Sequence, residues 1–186
     1  MSQRVVFLDR DGVLNRAFPE GGTTRPPLTL DELELLDGVP AALERLRAAG
    51  FALIVVTNQP DVARGKQTRE AVEAINARMR AELPLTDVFA CYHDTADRCD
   101  CRKPKPGMLL AAAAKWDLEL ATAFLIGDRW SDVVAAQAAG CRGVLIDTPF
   151  GSPERCSPDH TAPGIAAAVD WVLETAAVER RSAPVA

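Results

Sequence analysis

Four groups of polar residues stand out because each follows an apolar run of the chain. They are Asp9-Arg10-Asp11-Gly12, Thr57-Asn58-Gln59, Arg102-Lys103-Pro104, and Gly127-Asp128 with Asp132. Clustered carboxylates repel one another, so such a cluster needs either a divalent cation or a role in proton transfer. A hydroxyl and a lysine beside them offer a phosphoryl group a hydrogen bond and a fixed positive charge. These groups therefore indicate a site that handles phosphoryl groups.

A second cluster combines three of the five cysteines with one histidine within eleven residues: Cys91, His93, Cys99 and Cys101. The odd cysteine count and this crowding argue against the disulfide framework of a small secreted protein. Metal binding in a reducing cytoplasm fits better, because three thiolates and one imidazole form a complete tetrahedral set for structural zinc. The Cys-x-His spacing is tighter than in most zinc fingers, so small buried cysteines without a metal are the alternative.

The elements that must position these groups are five short apolar runs. They are apolar without alternation, which is typical of strands buried on both faces: Val5–Leu8, Leu53–Thr57, Val88–Tyr92, Phe124–Ile126 and Val144–Ile146. Helical segments lie between them, so we predict a doubly wound, Rossmann-like α/β fold with a parallel sheet of about five strands and helices on both faces. Ligands bind beyond the carboxyl ends of the strands in such sheets, where the four polar groups should converge.

Helix-end signals and helical spacing indicate five helices. The first helix lies between Pro40 and Gly50, the second begins after the capping residue Thr68, and the third begins at Pro106. The fourth and fifth span Ser131–Ala139 and Ile165–Ala177. The Gly- and Pro-rich segment Phe18–Thr29 is predicted to be a loop at the rim of the site, and Gly151–Pro163 is turn-rich. We expect one domain over residues 1–150, with residues 151–186 forming a loop, a helix and a frayed tail packed on it.

Composition limits the class of protein. The chain has 186 residues, 48% of them apolar and 25% charged, and a net charge of −5. This charge argues against nucleic-acid and membrane partners, so a local basic set must hold any anionic substrate: Arg64, Lys66, Arg102 and Arg129. Apolar stretches are far shorter than the roughly 20 residues that span a bilayer. We expect a cytoplasmic monomer that acts on a small phosphorylated metabolite.

The string Phe7-Leu8-Asp9-Arg10-Asp11-Gly12-Val13-Leu14-Asn15 resembles the first motif of the haloacid dehalogenase (HAD) superfamily. Thr57, Lys103 and Gly127-Asp128 fall where the other three motifs of that superfamily belong. Two finer features, Ala63-Arg64-Gly65-Lys66 and Cys99-Asp100-Cys101-Arg102-Lys103-Pro104, resemble the subgroup of heptose bisphosphate and histidinol-phosphate phosphatases. The resemblance covers residues 4 to 148.

This resemblance implies a magnesium-dependent phosphatase. Asp9 would be the nucleophile that forms an aspartyl-phosphate, and Asp11 the general acid and then the general base. Thr57 and Lys103 would hold the phosphoryl group, with Lys103 preferred to Lys105 because the subgroup places its lysine after the arginine that follows Cys-x-Cys. Mg²⁺ would bind Asp9, the backbone carbonyl of Asp11, and Asp128. Asp132 is expected to lie next to these ligands, and direct ligation by Asp132 is the alternative. The resemblance also supports Zn²⁺ at Cys91, His93, Cys99 and Cys101.

The resemblance further implies the substrate class, a small phosphorylated sugar. Expected substrate-binding residues are Asn15, Asn58, Gln59, Arg64, Arg102 and Arg129. Removal of the 7-phosphate of D-glycero-D-manno-heptose 1,7-bisphosphate is the favoured reaction, and histidinol-phosphate is the alternative because only five residues separate His93 from Cys99. No long insertion lies between Gly12 and Asp37, so we expect no large cap domain, which disfavours a phosphomutase. A catalytically inactive, zinc-stabilised phospholigand-binding module is the alternative from another class.

Overall fold

The structure is built on a parallel sheet of six strands. This computed structural model describes residues 3–182, and the strands follow the spatial order β5-β4-β1-β6-β7-β8 with every neighbouring pair parallel. Their bounds are β1 Val5–Leu8, β4 Ala52–Asn58, β5 Asp87–Cys91, β6 Phe124–Gly127, β7 Arg142–Ile146 and β8 His160–Ala162. A separate antiparallel hairpin consists of β2 Phe18–Glu20 and β3 Thr23–Arg25.

Within residues 3–182, five α-helices cover both faces of the sheet. They are α1 Val39–Ala48, α2 Arg69–Glu82, α3 Gly107–Trp116, α4 Trp130–Ala138 and α5 Ile165–Ser182. One core layer joins the sheet to α1, α2 and α5, and the other joins it to α3 and α4. The doubly wound fold predicted from the sequence is confirmed.

Side-chain alternation along each strand supplies the two core layers. In β1, Val6 and Leu8 enter the layer with α1, α2 and α5, whereas Val5 and Phe7 enter the layer with α3 and α4. All four side chains are fully buried, because successive residues of a strand point to opposite faces and both faces carry helices. This double burial explains why the strands are continuous apolar runs.

The order of the strands creates a crevice at one edge of the sheet. β1 lies between β4 and β6, so the connections from these strands leave in opposite directions around the carboxyl end of β1. Such a switch point is where open α/β sheets bind ligands. Asp9 follows β1 directly, Thr57 lies near the end of β4, and Asp128 follows β6. The sheet therefore brings three of the predicted groups to one place.

Two segments differ from their predicted structure. β8 is a sixth strand inside the segment predicted to be turns, and its three residues pair with Val144–Ile146 of β7 through the backbone. Only Ala162 of this strand is buried, so no apolar run marks it. The predicted loop Phe18–Thr29 contains the β2–β3 hairpin, which turns at Gly21 and Gly22. The guanidinium of Arg25 lies 4.6 Å from the Phe18 ring centroid and fastens this polar hairpin.

The C-terminal helix is longer than predicted. α5 continues past Ala177 to Ser182, although the last half-dozen residues were expected to be frayed. The remaining four residues of that predicted tail, 183–186, lie outside the described residues. Val169 and Val172 of α5 are fully buried and share a core layer with β1. No helix within residues 3–182 combines the length and apolar character needed to cross a membrane.

Candidate active site

Lys103 and Asp9 form the centre of the site. The ammonium of Lys103 lies 2.9 Å from Asp9 Oδ1 and 2.6 Å from Asp132 Oδ1, and it also donates to the backbone carbonyl of Val56 at 2.6 Å. The lysine is 3% exposed. Burial alone would lower the pKa of Lys103, but the Asp132 and Asp9 carboxylates raise it above its ordinary value. A buried ammonium held by three contacts thus touches the first carboxylate of the Asp-x-Asp motif.

The backbone of Lys103 is held by the residue that follows Thr57. The Lys103 N–H donates to Asn58 Oδ1 at 3.1 Å, and Asn58 Nδ2 donates to the Lys103 carbonyl at 3.0 Å. This reciprocal pair joins β4 to the loop that carries the lysine. Asn58 also lines the cleft, but both ends of its amide are occupied by Lys103. Asn58 therefore positions Lys103.

Three carboxylates come together beside this lysine. Oxygen atoms of Asp9, Asp128 and Asp132 all lie within 4.8 Å of one another. Burial raises the pKa of Asp9 to about 6, against the opposing effect of Lys103. Burial, followed by the charges of Asp9 and Asp132, raises the pKa of Asp128 well above its ordinary value. A bound divalent cation would relieve this repulsion.

Asp128 and Asp132 each have a buried Oδ1 without a hydrogen bond among residues 3–182, but the Oδ1 of Asp132 is in an ion pair with Lys103. Asp128 Oδ1 is buried and has no hydrogen-bond partner among residues 3–182. Asp132 is fully buried; its Oδ1 contacts Lys103, and its Oδ2 accepts the Arg129 N–H at 3.0 Å. Buried polar atoms rarely remain unpaired, so the free oxygen of Asp128 fits a cation. These contacts support the interpretation of Asp132 as a residue beside the metal ligands.

Gly12 allows the first motif to approach Asp128. Its φ is +89°, and a Cβ atom at this position would lie 2.5 Å from Asp128 Oδ2. A side chain would therefore meet both a strained backbone and a direct clash. The glycine of the Asp-x-Asp-Gly string is required by this contact between the ends of β1 and β6.

Asp11 is surrounded by hydrogen-bond donors. Its carboxylate accepts from Asn15 Nδ2 at 3.0 Å and from Gln59 Nε2 at 2.7 Å, in addition to a forked contact from Arg10. Gln59 Nε2 also donates to the Thr57 hydroxyl at 2.8 Å. Asn15 and Gln59, both predicted to bind substrate, are fully buried, and the partner they share with the site is Asp11. They lie behind Asp11 and orient it.

An open cleft with a volume of about 810 Å³ lies at this edge of the sheet. Asp9, Asp11, Thr57, Lys103 and Asp128 all line it, as the sequence predicts. Loops and the β2–β3 hairpin complete the walls, and they carry most of its basic side chains: Arg25, Arg64, Lys66, Arg98, Arg102, Lys105, Arg129 and Arg155. The cleft therefore combines a buried carboxylate and lysine centre with cationic walls, although the chain as a whole is acidic.

Two of the predicted substrate-binding arginines are engaged in structural contacts. Arg64 makes a bidentate pair with Asp94 at 2.9 and 2.8 Å, and its guanidinium lowers the pKa of Asp94 to about 2. Arg129 donates to the Thr24 hydroxyl of the hairpin at 2.6 Å and lies 3.6 Å from Asp128 Oδ2. Both still line the cleft, but their observed partners are protein groups. Arg64 joins two loops, and Arg129 docks the hairpin beside the carboxylates.

Arg102 differs from these two residues. It also lines the cleft, its Nη1 donates to the His93 carbonyl at 3.4 Å, and it has no ion-pair partner among the described residues. Its positive charge is therefore available to an anionic ligand. Arg102 therefore lines the cleft without the ion pair that Arg64 makes with Asp94.

The cysteine and histidine cluster forms beside Arg102. Cys91 Sγ lies 3.3 Å from Cys101 Sγ and 3.7 Å from Cys99 Sγ, and His93 Nδ1 lies 3.3 Å from Cys101 Sγ. All three cysteines are free thiols. Four ligands at zinc distances of about 2.3 Å in a tetrahedron would lie about 3.8 Å apart, so the observed spacing fits such a site. The last of these four residues precedes Arg102 directly and Lys103 by two positions.

Some site residues were not predicted from the sequence. Arg10 is fully buried beneath Asp11, and Trp130 carries the guanidinium of Arg155 at 3.7 Å from its ring centroid in the cleft wall. A long cation between two carboxylates was an available signal for Arg10, because its guanidinium can reach a neighbouring carboxylate, as it does at Asp11. No comparable signal marks Trp130 or Arg155.

Comparison with known proteins agrees with this geometry. A family model described as HAD-hydrolase-like matches residues 100–170. The chain is 35% identical to D-glycero-D-manno-heptose-1,7-bisphosphate 7-phosphatase of Thermosynechococcus vestitus, over 92% of this chain and 96% of the relative. It is also 35% identical to D-glycero-beta-D-manno-heptose-1,7-bisphosphate 7-phosphatase of Escherichia coli strain K12, over 92% and 89% of the two chains.

A solved structure extends the comparison to the fold. D,D-heptose 1,7-bisphosphate phosphatase from B. bronchiseptica, complexed with magnesium and phosphate, matches with a TM-score of 0.79 and 30% identity over 93% of this chain and 99% of that one. The parallel sheet and the family match define a phosphatase of the HAD superfamily. Within it, the chain belongs to the family of the D-glycero-D-manno-heptose-1,7-bisphosphate 7-phosphatases.

Proposed function

We propose that the protein removes the 7-phosphate of D-glycero-D-manno-heptose 1,7-bisphosphate through an aspartyl-phosphate on Asp9. The observation that carries this proposal is the contact between Asp9 and the buried ammonium of Lys103 in a cleft that Asp11 also lines. A carboxylate is ionised near neutral pH and can attack phosphorus, and Lys103 offers positive charge to the phosphoryl oxygens. The names of the similar proteins support the choice of substrate.

The reaction has two displacement steps. A carboxylate oxygen of Asp9 attacks phosphorus, the bond from phosphorus to the ester oxygen breaks, and the leaving alkoxide takes a proton from Asp11. Water then attacks the aspartyl-phosphate and gives a proton to Asp11, while the bond from phosphorus to Asp9 breaks. Inorganic phosphate leaves and both carboxyl groups return to their starting states. Thr57 and Lys103 hold the phosphoryl oxygens throughout.

The same residues would hold Mg²⁺. Asp9 and Asp128 supply carboxylate oxygens and Asp11 its backbone carbonyl, and the unpaired Asp128 Oδ1 fits this role. When bound, the cation neutralises charge on the phosphoryl oxygens. Asp132 keeps its contacts with Lys103 and the Arg129 N–H.

Arg102 would hold the second phosphate of the substrate. Arg102 has no ion pair within 4.0 Å among the described residues, and a guanidinium binds phosphate through strong charge-assisted hydrogen bonds. We further propose that the protein acts as a monomer on this small metabolite. A reducing compartment such as the cytoplasm fits this proposal, because a structural zinc site needs cysteines that are not oxidised to disulfides.

The choice between the two substrates can be tested with phosphate-release assays. We expect kcat/KM for the heptose 1,7-bisphosphate to be about 10²-fold higher than kcat/KM for histidinol-phosphate, because only the bisphosphate offers a second anion to Arg102. Arg102→Met should lower kcat/KM for the bisphosphate and leave that for a sugar monophosphate nearly unchanged. A preference for histidinol-phosphate would overturn the substrate assignment, and binding without phosphate release would indicate an inactive phospholigand-binding module.

We also propose that Cys91, His93, Cys99 and Cys101 bind one structural Zn²⁺. Protein purified without chelator should contain about one zinc per chain, with metal–sulfur distances of about 2.3 Å by X-ray absorption. Replacing Cys99 and Cys101 by Ser should lower kcat/KM by about 10²-fold, because misplacement of catalytic groups by about 1 Å costs that much. The circular dichroism spectrum should change little, since the sheet holds the ends of the loop.

The matched control is Cys156→Ser, which replaces a free thiol outside this cluster and should retain both zinc and activity. A protein free of zinc, or a disulfide between Cys91 and Cys99, would contradict the zinc assignment.

A further inference from the structure

Arg10 is a buried cation whose side chain does not line the cleft. Its guanidinium donates three hydrogen bonds to two residues, Asp11 and Asn76. Nε donates to Asp11 Oδ1 and Nη2 to Asp11 Oδ2, each at 3.1 Å, and Nη1 donates to Asn76 Oδ1 at 2.9 Å. The planar fork of arginine matches both oxygens of a carboxylate, so this contact sets the plane of the Asp11 carboxyl group as well as its position.

Asn76 is a polar residue on the apolar face of α2. It is 3% exposed and lies among the buried positions Val72, Ile75 and Met79 of the same helix. Its Nδ2 has no hydrogen-bond partner among residues 3–182. A buried amide in such a place costs free energy unless it is hydrogen-bonded. The bond from Arg10 to Oδ1 is its single side-chain hydrogen bond in the described part of the chain, and it connects residues 66 positions apart.

We propose that Arg10, held from behind by Asn76, is a positioning residue that aims the Asp11 carboxyl group at the leaving oxygen of the substrate. This inference rests on the proposed function, in which Asp11 transfers the proton. Asn15 and Gln59 each contact one carboxylate oxygen, whereas the arginine fork contacts both. Asn76 anchors that fork to a helix of the core. Together they hold the acid–base group in place without contacting substrate.

Leaving-group dependence separates this role from general structural damage. An alkoxide is a poor leaving group and needs a proton from Asp11, whereas 4-nitrophenolate leaves as a stable anion. The ratio kcat/KM reports only the steps up to the first irreversible one, so it excludes the second use of Asp11 as a base. The experiment compares kcat/KM for the heptose 1,7-bisphosphate and for 4-nitrophenyl phosphate in Arg10→Met, Arg10→Lys and Asn76→Leu.

The expected effects differ between the two substrates. Arg10→Met should lower kcat/KM for the heptose bisphosphate by about 10²-fold and that for 4-nitrophenyl phosphate by less than about fivefold. Asn76→Leu should lower the first value by about tenfold and the second by less than about twofold, because it acts only through Arg10. Arg10→Lys retains the charge without the fork and should fall between wild type and Arg10→Met.

Two reference variants complete the test. Arg142 begins β7, at the edge of the sheet opposite to the cleft, and its guanidinium pairs with Glu179 of α5. Arg142→Met should leave the ratio of the kcat/KM values for the two substrates unchanged. Asp11→Asn should change that ratio at least as strongly as Arg10→Met. If Asp11→Asn leaves the ratio unchanged, the acid–base assignment in the proposed function is wrong.

A different outcome is that Asp11→Asn changes the ratio, whereas the Arg10 and Asn76 variants slow the reactions of both substrates equally or slow neither reaction. That outcome overturns only the positioning role of Arg10 and Asn76. If Arg10→Met does not fold, Asn76→Leu decides the question, because it removes no charge and places an apolar side chain on an apolar helix face.

Discussion

Replacing Asp9 by Asn is expected to lower kcat by about 10⁴-fold or more, since loss of the nucleophile in enzymes with covalent intermediates costs up to about 10⁶-fold. The amide is nearly isosteric with the carboxylate but is a very poor nucleophile. Its oxygen can still accept a hydrogen bond from the backbone N–H of Arg10, which donates to Asp9 Oδ1 at 2.8 Å. The oxygen can also still face the ammonium of Lys103. The fold should therefore survive while the reaction stops.

Phosphate release, circular dichroism and mass spectrometry together check this expectation. Wild-type protein quenched during turnover should carry a phosphate on the peptide that contains Asp9, and the variant should not. Asp87→Asn is a matched control, because Asp87 is also a buried carboxylate but lies at the start of β5, where it accepts from Lys115 and Trp116. That control should lower the melting temperature and leave kcat near its original value. Turnover by Asp9→Asn within tenfold of wild type would rule out the aspartyl-phosphate.

Removal of the divalent cation is expected to lower activity by about 10³-fold or more, because charge stabilisation of a phosphoryl group by a metal is worth several kcal/mol. The substrate phosphate is negative and would approach Asp9 and Asp128, whose pKa values burial already raises, so binding without a cation brings further negative charge into a buried place. The experiment chelates metal, verifies its removal by metal analysis, and adds back Mg²⁺ or Zn²⁺ separately. Mg²⁺ alone should restore turnover in samples that still contain structural zinc.

Asp128→Asn provides an independent check on the same cation. This variant retains the size of the side chain but removes the charge next to the unpaired oxygen, so half-maximal activity should require a much higher Mg²⁺ concentration. Full activity in a verified magnesium-free sample would contradict the assignment. Recovery with Zn²⁺ instead of Mg²⁺ would indicate a zinc-catalysed hydrolysis.

The central strands could be predicted because their physical cause lies in their own residues. A strand buried on both faces must be apolar throughout, and the predicted bounds of β1 agree with the structure while those of β4 differ by one residue at each end. The strand β8 has no such cause. Its backbone pairs with the exposed edge of β7, and pairing through the backbone leaves almost no mark on residue types. The β2–β3 hairpin escaped prediction for the same reason.

The site shows a similar division. Strand order and motif position predict which residues reach the carboxyl edge, so Asp9, Thr57, Lys103 and Asp128 converge there as expected. Those features do not predict which way a polar side chain turns once it arrives. Gln59 turns inward to Asp11, and Arg129 turns to the hairpin. Both outcomes depend on partners distant in the chain, which a local pattern cannot specify.

The walls of the cleft and its reactive centre come from different parts of the fold, with consequences for how such a protein can evolve. Asp9 and Asp128 follow core strands directly, so their positions depend on the sheet. The surrounding arginines and the hairpin belong to surface segments tied down by individual contacts, such as that of Arg129 with Thr24. Insertions and substitutions accumulate in such segments far more readily than in buried strands. Selection can therefore exchange one phosphate ester for another by altering the walls, while the inherited chemistry of phosphoryl transfer persists unchanged at the sheet.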